Sequence, residues 1–85
     1  MHGEIVVEFT KHARSKCAES GIHLKDIEET ILRPDRKMKD TIDPSLDHYI
    51  RPIDSEYLRV IGRWESDAAF LVVTAFFDRS LKEKG

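Results

Sequence analysis

One short segment of the chain carries three basic side chains that could act on a phosphodiester. His12, Arg14 and Lys16 fall close together in a predicted helix. At about 100° per residue, His12 and Lys16 lie side by side at positions i and i+4. A histidine exchanges protons near neutral pH, and a fixed cation beside it can hold phosphate charge. The alternative is a solvated helix face without any catalytic role.

A second group of basic side chains lies on two predicted strands. Arg59 and Arg63 share one face of the later strand, and His48 and Arg51 come from the strand before it. If that face is exposed, the arginines could form an anion-binding surface. The alternative is an ordinary antiparallel sheet whose outward arginines lie opposite Asp and Glu.

Two further side chains, Thr74 and Cys17, could contribute to a site. Thr74 interrupts the apolar run 68–77, where a buried hydroxyl needs a partner, and it is either part of a site or a satisfied core threonine. Cys17 is most simply a small buried helix residue, because His12 at i−5 does not face it. The histidines and the single cysteine show no metal-ligand spacing, so we expect neither metal nor cofactor.

Length and composition bound the class of protein. The 85 residues provide one hydrophobic core, and we expect a single domain over 1–85. A net charge of −2 argues against non-specific adhesion to nucleic acid, although a local basic site remains compatible with it. One cysteine fits a reducing compartment. Met1–Thr10 shows no signal-peptide cleavage site, and the longest apolar run is about half a membrane span. We therefore expect a soluble, cytoplasmic protein.

The first third of the chain predicts the helices that would position these side chains. A short β-branched segment, 4–9, predicts an edge strand or lead-in. Thr10 is a suitable N-cap for a helix over 11–20, and Gly21 is a suitable terminator. Apolar residues at helical spacing predict a second helix that ends at Arg33, before Pro34. The apolar face expected to be buried consists of the following residues: Leu24, Ile27, Ile31 and Leu32. The short connection predicts a tight helical hairpin.

The rest of the chain changes to an extended pattern. It predicts a weak strand over 36–42, a turn over 43–47 and a strand over 48–53. A stronger strand over 56–64 follows, and then a central strand over 68–77 that is apolar on both faces. The predicted fold class is α+β, with an N-terminal helical hairpin packed on a 3–4-stranded antiparallel sheet.

Several motifs resemble a known small-domain family. They are Phe9–Arg14 (FTKHAR), Gly21-Ile22 and Ile27–Asp35 (IEETILRPD), and the runs Leu58–Ile61 and Leu71–Thr74 extend the similarity over most of the chain. This family of formally unknown function is usually grouped with RelE-like toxins, in the barnase–EndoU–colicin–RelE fold. The resemblance implies a RelE-like arrangement of the predicted elements.

The resemblance also implies a function: a metal-independent endoribonuclease, typically the toxin of a toxin–antitoxin pair, that cleaves RNA by attack of the ribose 2′-hydroxyl. RNA and an antitoxin protein would be its partners. The implied catalytic residues are His12 as acid or base, Lys16 where the family usually has arginine, and Arg59. The expected substrate-binding residues are Arg14, His48, Arg51, Arg63 and Thr74. Ser20 stands where a second basic residue is common. The alternative is a non-catalytic protein-interaction module on the same scaffold.

Overall fold

The architecture, taken from a computed structural model that describes residues 4–81, confirms the α+β class. Within these residues, five strands form one sheet in the order β1-β5-β4-β3-β2. No helix there is long and apolar enough to cross a membrane. The elements in chain order are β1 (Val6–Phe9), α1 (Lys11–Ser20), α2 (Leu24–Leu32), β2 (Arg36–Lys39), β3 (Asp47–Ile53), β4 (Glu56–Ser66) and β5 (Ala69–Phe77).

The predicted 3–4-stranded antiparallel sheet is wrong in strand number and in direction. β1 pairs in parallel with β5, with Val6 opposite Ala69 and Phe9 opposite Val72, whereas the other neighbouring strands are antiparallel. β1 belongs to the sheet because its alternate residues, Val7 and Phe9, pack against the core. This pairing joins strands from opposite ends of the chain, so no local pattern could predict it.

Both ends of α1 form as predicted. Thr10 Oγ1 accepts a hydrogen bond from the Ala13 backbone N–H at 3.1 Å and caps the first turn. Gly21 adopts a left-handed φ of 67°, which glycine tolerates without steric cost. The Ile22 N–H then donates to the Cys17 carbonyl at 3.0 Å, and the Ile22 side chain turns into the core.

The predicted helical hairpin is wrong, because each helix packs on its own part of the sheet. α1 lies on β5 and β1 through Ala13, and α2 lies on β3 and β4 through Ile27 and Ile31. Five strands at about 4.8 Å spacing span about 19 Å, which is wide enough for two helices side by side. Each apolar helix face is therefore buried against the sheet rather than against the other helix.

The buried side of α2 also differs from the prediction. Leu24 and Leu32 are each 51% exposed, whereas Thr30 is fully buried together with Ile27 and Ile31. Thr30 Oγ1 donates to the Asp26 carbonyl at 2.7 Å. Because this hydroxyl is satisfied within its own helix, threonine can occupy a core position at little cost.

The two faces of the sheet have different roles. One face packs against the helices, and its alternation of Leu58 and Val60 on β4 is as predicted. We call the opposite face of the sheet the distal face. Register places these side chains on the distal face: His48, Arg59, Ile61, Arg63, Thr74 and Phe76.

Candidate functional site

The start of α1 is bound to β5, and this attachment brings His12 to Thr74. The Thr10 backbone N–H donates to the Val72 carbonyl, and Thr10 Oγ1 donates to the Val73 carbonyl, both at 3.0 Å. In the first turn of the helix, His12 Nε2 lies 3.3 Å from Thr74 Oγ1 in an exposed contact. The structure thus joins a predicted catalytic residue to a predicted substrate-binding residue.

A β-bulge on β5 aims Thr74 at this position. Thr74 pairs with Ile61 while Val72 pairs with Gly62, so Val73 is an extra residue on β5. Val72 and Ala75 can therefore both face the core, and Thr74 between them faces the distal side. A regular strand would put one of those two positions on the wrong face.

The other two basic residues of α1 differ in their relation to His12. Lys16 is half-buried and lies one turn further along the same side of the helix. Arg14 is exposed and points about 200° around the helix from His12. Within residues 4–81, neither side chain has a hydrogen-bond partner. Lys16 therefore lies on the His12 side of the helix, whereas Arg14 lies on the other side.

A second polar cluster on the distal face is a continuous chain of hydrogen bonds. His48 Nε2 lies 2.6 Å from Asp40 Oδ1, and His48 Nδ1 lies 2.7 Å from Arg59 Nη1. Arg59 Nε donates to Asp78 Oδ2 at 2.8 Å. These four side chains are between 11% and 22% exposed. We call them the Asp40–Asp78 network.

The network selects one tautomer of His48. Arginine only donates hydrogen bonds, so His48 Nδ1 must accept from Arg59. The proton of a neutral imidazole then lies on Nε2, where it is donated to Asp40. A proton on Nδ1 would remove the Arg59 hydrogen bond and place two cations in contact. Both ring nitrogens of His48 are therefore engaged, one by Asp40 and the other by Arg59.

Both carboxyl groups of the network have a lowered pKa. For Asp78 the main cause is the hydrogen bond from the Ser80 hydroxyl, and Arg59 adds to it. For Asp40 the main cause is the Asp43 backbone N–H, followed by the hydrogen bond with His48. Both groups are carboxylates at neutral pH, so the Arg59 charge is balanced inside the protein.

The remaining strand arginines lie apart from both clusters. Arg51 pairs with Leu58 on the helix side of the sheet, and its Nη1 donates to the Arg33 carbonyl at 2.7 Å, where α2 ends. Arg63 is on the distal face, but it is four residues from Arg59, or about 13 Å along the strand. Its Nε donates to Glu65 at 2.8 Å in an exposed pair.

Thr74 lies on the same face as the Asp40–Asp78 network, but the two clusters do not touch. Thr74 pairs with Ile61, which pairs in turn with His48, so two strand spacings separate the ends of this row. That distance is about 10 Å. Of the predicted site residues, the structure therefore groups His12 with Thr74 and Lys16, and His48 with Arg59.

Asp40 and Asp78 are not among the site residues predicted from the sequence. Each has a recognisable local signal, since Asp40 accepts from the Ile42 and Asp43 backbone N–H groups and Asp78 binds Ser80 two residues later. Such Asx turns are readable from sequence. Their partners His48 and Arg59 lie on other strands, and only the sheet register brings them together.

The structure also bears on metal binding and on the role of Cys17. Within residues 4–81, no three or more His, Cys, Asp or Glu side chains are grouped so that they could hold a metal ion. Cys17 is half-buried, and burial raises the pKa of its thiol. A protonated thiol is a poor nucleophile, which fits a packing role.

The fold and the site thus define an α+β domain with a mixed five-stranded sheet, helices on one face, a hydrogen-bonded network on the other and a His12–Thr74 contact where α1 joins β5. Residues 9–77 match the model of a family described as a domain of unknown function, DUF4258. The chain belongs to this family, which confirms the predicted membership in a small-domain family of unknown function. Neither a search of curated proteins nor a search of solved structures finds a match.

Proposed function

We propose that the protein is a RelE-like, metal-independent endoribonuclease, the cytoplasmic toxin of a toxin–antitoxin pair. The observation that supports it is the contact between His12 and Thr74, 3.3 Å apart at an exposed junction of helix and sheet. Lys16 adds a cation on the same side of the helix. This junction therefore combines a group that can exchange a proton, a hydroxyl and a positive charge.

The proposed reaction uses these groups on one phosphodiester. His12 removes the proton of the ribose 2′-hydroxyl, whose oxygen attacks the phosphorus and displaces the 5′-oxygen, which takes up a proton as it leaves. The products are a 2′,3′-cyclic phosphate and a free 5′-hydroxyl. Thr74 holds the imidazole in place, and Lys16 stabilises the extra negative charge on the phosphoryl oxygens.

The Asp40–Asp78 network has a supporting role in this proposal. Arg59 engages Asp78 and His48 through Nε and Nη1, and its Nη2 has no acceptor within residues 4–81. That nitrogen can donate to a neighbouring phosphate of the RNA without breaking the network. His48 then orients Arg59 rather than contacting the reacting phosphate.

A second candidate function is the non-catalytic protein-interaction module. It is favoured because all three arginines predicted on the strands are already hydrogen-bonded to groups of the protein itself. Arg51 binds a backbone carbonyl, Arg59 binds Asp78 and Arg63 binds Glu65. A sheet with so few free cations binds RNA weakly, whereas it can still bind a protein partner.

The test compares wild type with His12→Ala, using His23→Ala as a matched control. His23 is also an exposed histidine, and its side chain makes no cap hydrogen bond. Each protein is induced in a bacterial host while growth and total RNA are followed, and each is also incubated with single-stranded RNA and EDTA. Wild type and His23→Ala should cleave RNA, and His12→Ala should be at least about 100-fold slower. Intact RNA in both assays with folded wild type would reject the ribonuclease in favour of the interaction module.

A further inference from the structure

β2 is a basic edge strand in an acidic protein. Three of its four residues are Arg36, Lys37 and Lys39, although the chain has a net charge of −2. All four side chains are exposed, and Met38 is 42% exposed. β2 is the last strand in the sheet order, so one of its sides has no neighbouring strand within residues 4–81. The positive charge is therefore concentrated on an open edge.

The outward side of β2 presents unpaired backbone groups. Just after the strand, the Asp40 N–H donates to the Leu46 carbonyl across the β2–β3 connection at 3.0 Å. In an antiparallel pair, successive residues direct their N–H and C=O groups to opposite sides. Residues 36, 38 and 40 thus face β3, and the backbone groups of Lys37 and Lys39 face outward. An incoming strand would find two pairs of donors and acceptors.

The side chains of these lysines stay accessible. Lys39 Nζ lies 3.5 Å from Asp47 in a pair whose lysine side chain is 70% exposed. Lys37 Nζ lies over the Tyr49 ring, 5.5 Å from its centre. Arg36 has no carboxylate partner within residues 4–81. The lysines therefore flank the open backbone on one side, and Arg36 and Met38 flank it on the other.

We propose that β2 binds an acidic, extended segment of a partner protein, which adds to the sheet as a further strand. The partner backbone pairs with Lys37 and Lys39, its acidic side chains face the two lysines, and an apolar side chain covers Met38. This interaction is separate from the His12 junction and does not depend on RNA cleavage.

The charges on β2 favour an acidic segment over a second copy of the chain as its binding partner. Pairing of β2 with β2 of another copy would place lysines and Arg36 close together, which is unfavourable. The other edge strand, β1, offers one acidic residue, Glu8, among its four. An acidic segment provides more carboxylates than either edge.

The residues on either side of β2 favour a peptide over RNA as its binding partner. Asp35 and Asp40 bound β2 on both sides, so a long polyanion would meet carboxylates at each end of the strand. A short peptide strand can end between them. The outward backbone groups also pair with a peptide, whereas RNA binding relies mainly on side-chain cations and stacking.

The first experiment uses the full chain and a short peptide that alternates Glu and Val, with a control peptide that has Gln in place of Glu. Binding is measured by titration, and amide hydrogen exchange locates the site. We expect slower exchange at the Lys37 and Lys39 amides and binding of the Gln peptide that is at least about tenfold weaker. Equal binding of both peptides, or protection at β1 instead, would overturn the proposal.

The second experiment compares Lys37→Glu/Lys39→Glu with Lys11→Glu/Lys25→Glu. Both pairs are exposed lysines and change the net charge equally, but the control pair lies on the helices. The β2 variant should lose at least about tenfold in peptide affinity, and the control should stay within about twofold. The proposal fails if the β2 variant binds normally. It also fails if that variant instead abolishes self-association, or if RNA displaces the peptide from wild type.

Discussion

The ion pair between Arg59 and Asp78 should contribute measurably to folding stability. Its atoms are 2.8 Å apart, and the two side chains are only 14% and 11% exposed. Fully exposed pairs contribute about 0–1 kcal/mol, whereas breaking a buried pair costs about 3–5 kcal/mol. At this exposure, Arg59→Ala and Asp78→Ala should each lower the free energy of unfolding by about 2–3 kcal/mol. For a domain of this size, the melting temperature should fall by about 10–20 °C.

A double-mutant cycle separates the pair from the other contacts of each residue. Arg59→Ala also removes a partner of His48, and Asp78→Ala also removes the bonds to Ser80. These losses occur in the single and the double variants and therefore cancel. We expect a coupling energy of about 1.5 kcal/mol, measured by urea unfolding at neutral pH and low salt.

The exposed pair of Arg63 and Glu65 is a matched control. Its atoms are also 2.8 Å apart, but the side chains are 44% and 38% exposed. Its cycle, through Arg63→Ala and Glu65→Ala, should show a coupling below about 0.5 kcal/mol. If the Arg59 and Asp78 cycle gave no larger coupling than this control, burial would not strengthen the pair and the argument from the network would be refuted.

Three further predictions concern stability. Gly62→Ala should lower the free energy of unfolding by more than about 3 kcal/mol in thermal unfolding, because a Cβ there would overlap the Leu71 carbonyl oxygen. Gly21→Ala, which has open space around it, should lower it by only about 1–2 kcal/mol. Equal losses would contradict the steric explanation. Asp40 and Asp78 have a lowered pKa when folded. Their contribution to folding stability is therefore complete above the pKa of an ordinary aspartate, about 4, and is lost as the pH falls through their lower pKa values in the folded protein. The urea midpoint should drop with falling pH in that range, and it should drop less steeply in Asp40→Asn. If the midpoint fell equally steeply in both proteins, Asp40 would not contribute to the pH dependence of stability. Thr10→Ala should cost about 1–2 kcal/mol, because it removes both the cap of α1 and a bond to β5; a loss below about 0.5 kcal/mol would exclude that double role.

The local elements could be predicted because their signals lie within a few residues. Thr10 and Gly21 mark both ends of α1, and Pro34 marks the region where α2 ends. The alternation of β4 correctly indicated which side chains face the core. Capping, φ preferences and periodicity act over one or two turns, so they are present in any short window of the chain.

Contacts between elements could not be predicted in the same way. The parallel pairing of β1 with β5 joins opposite ends of the chain, and the bulge at Val73 turns Thr74 toward His12. The helices lie side by side because the sheet is wide enough to cover both, which their own sequences do not encode. These features depend on the joint burial of all apolar faces.

The candidate site shows the same division. The sequence was sufficient to select His12, His48 and Arg59 as groups with useful chemistry. It could not show that Asp40 and Asp78 hold His48 and Arg59, since residues far apart in the chain become hydrogen-bond partners only once strand register is established. Residue types limit the chemistry that the protein can perform, whereas the packing of the sheet determines which side chains are free to perform it.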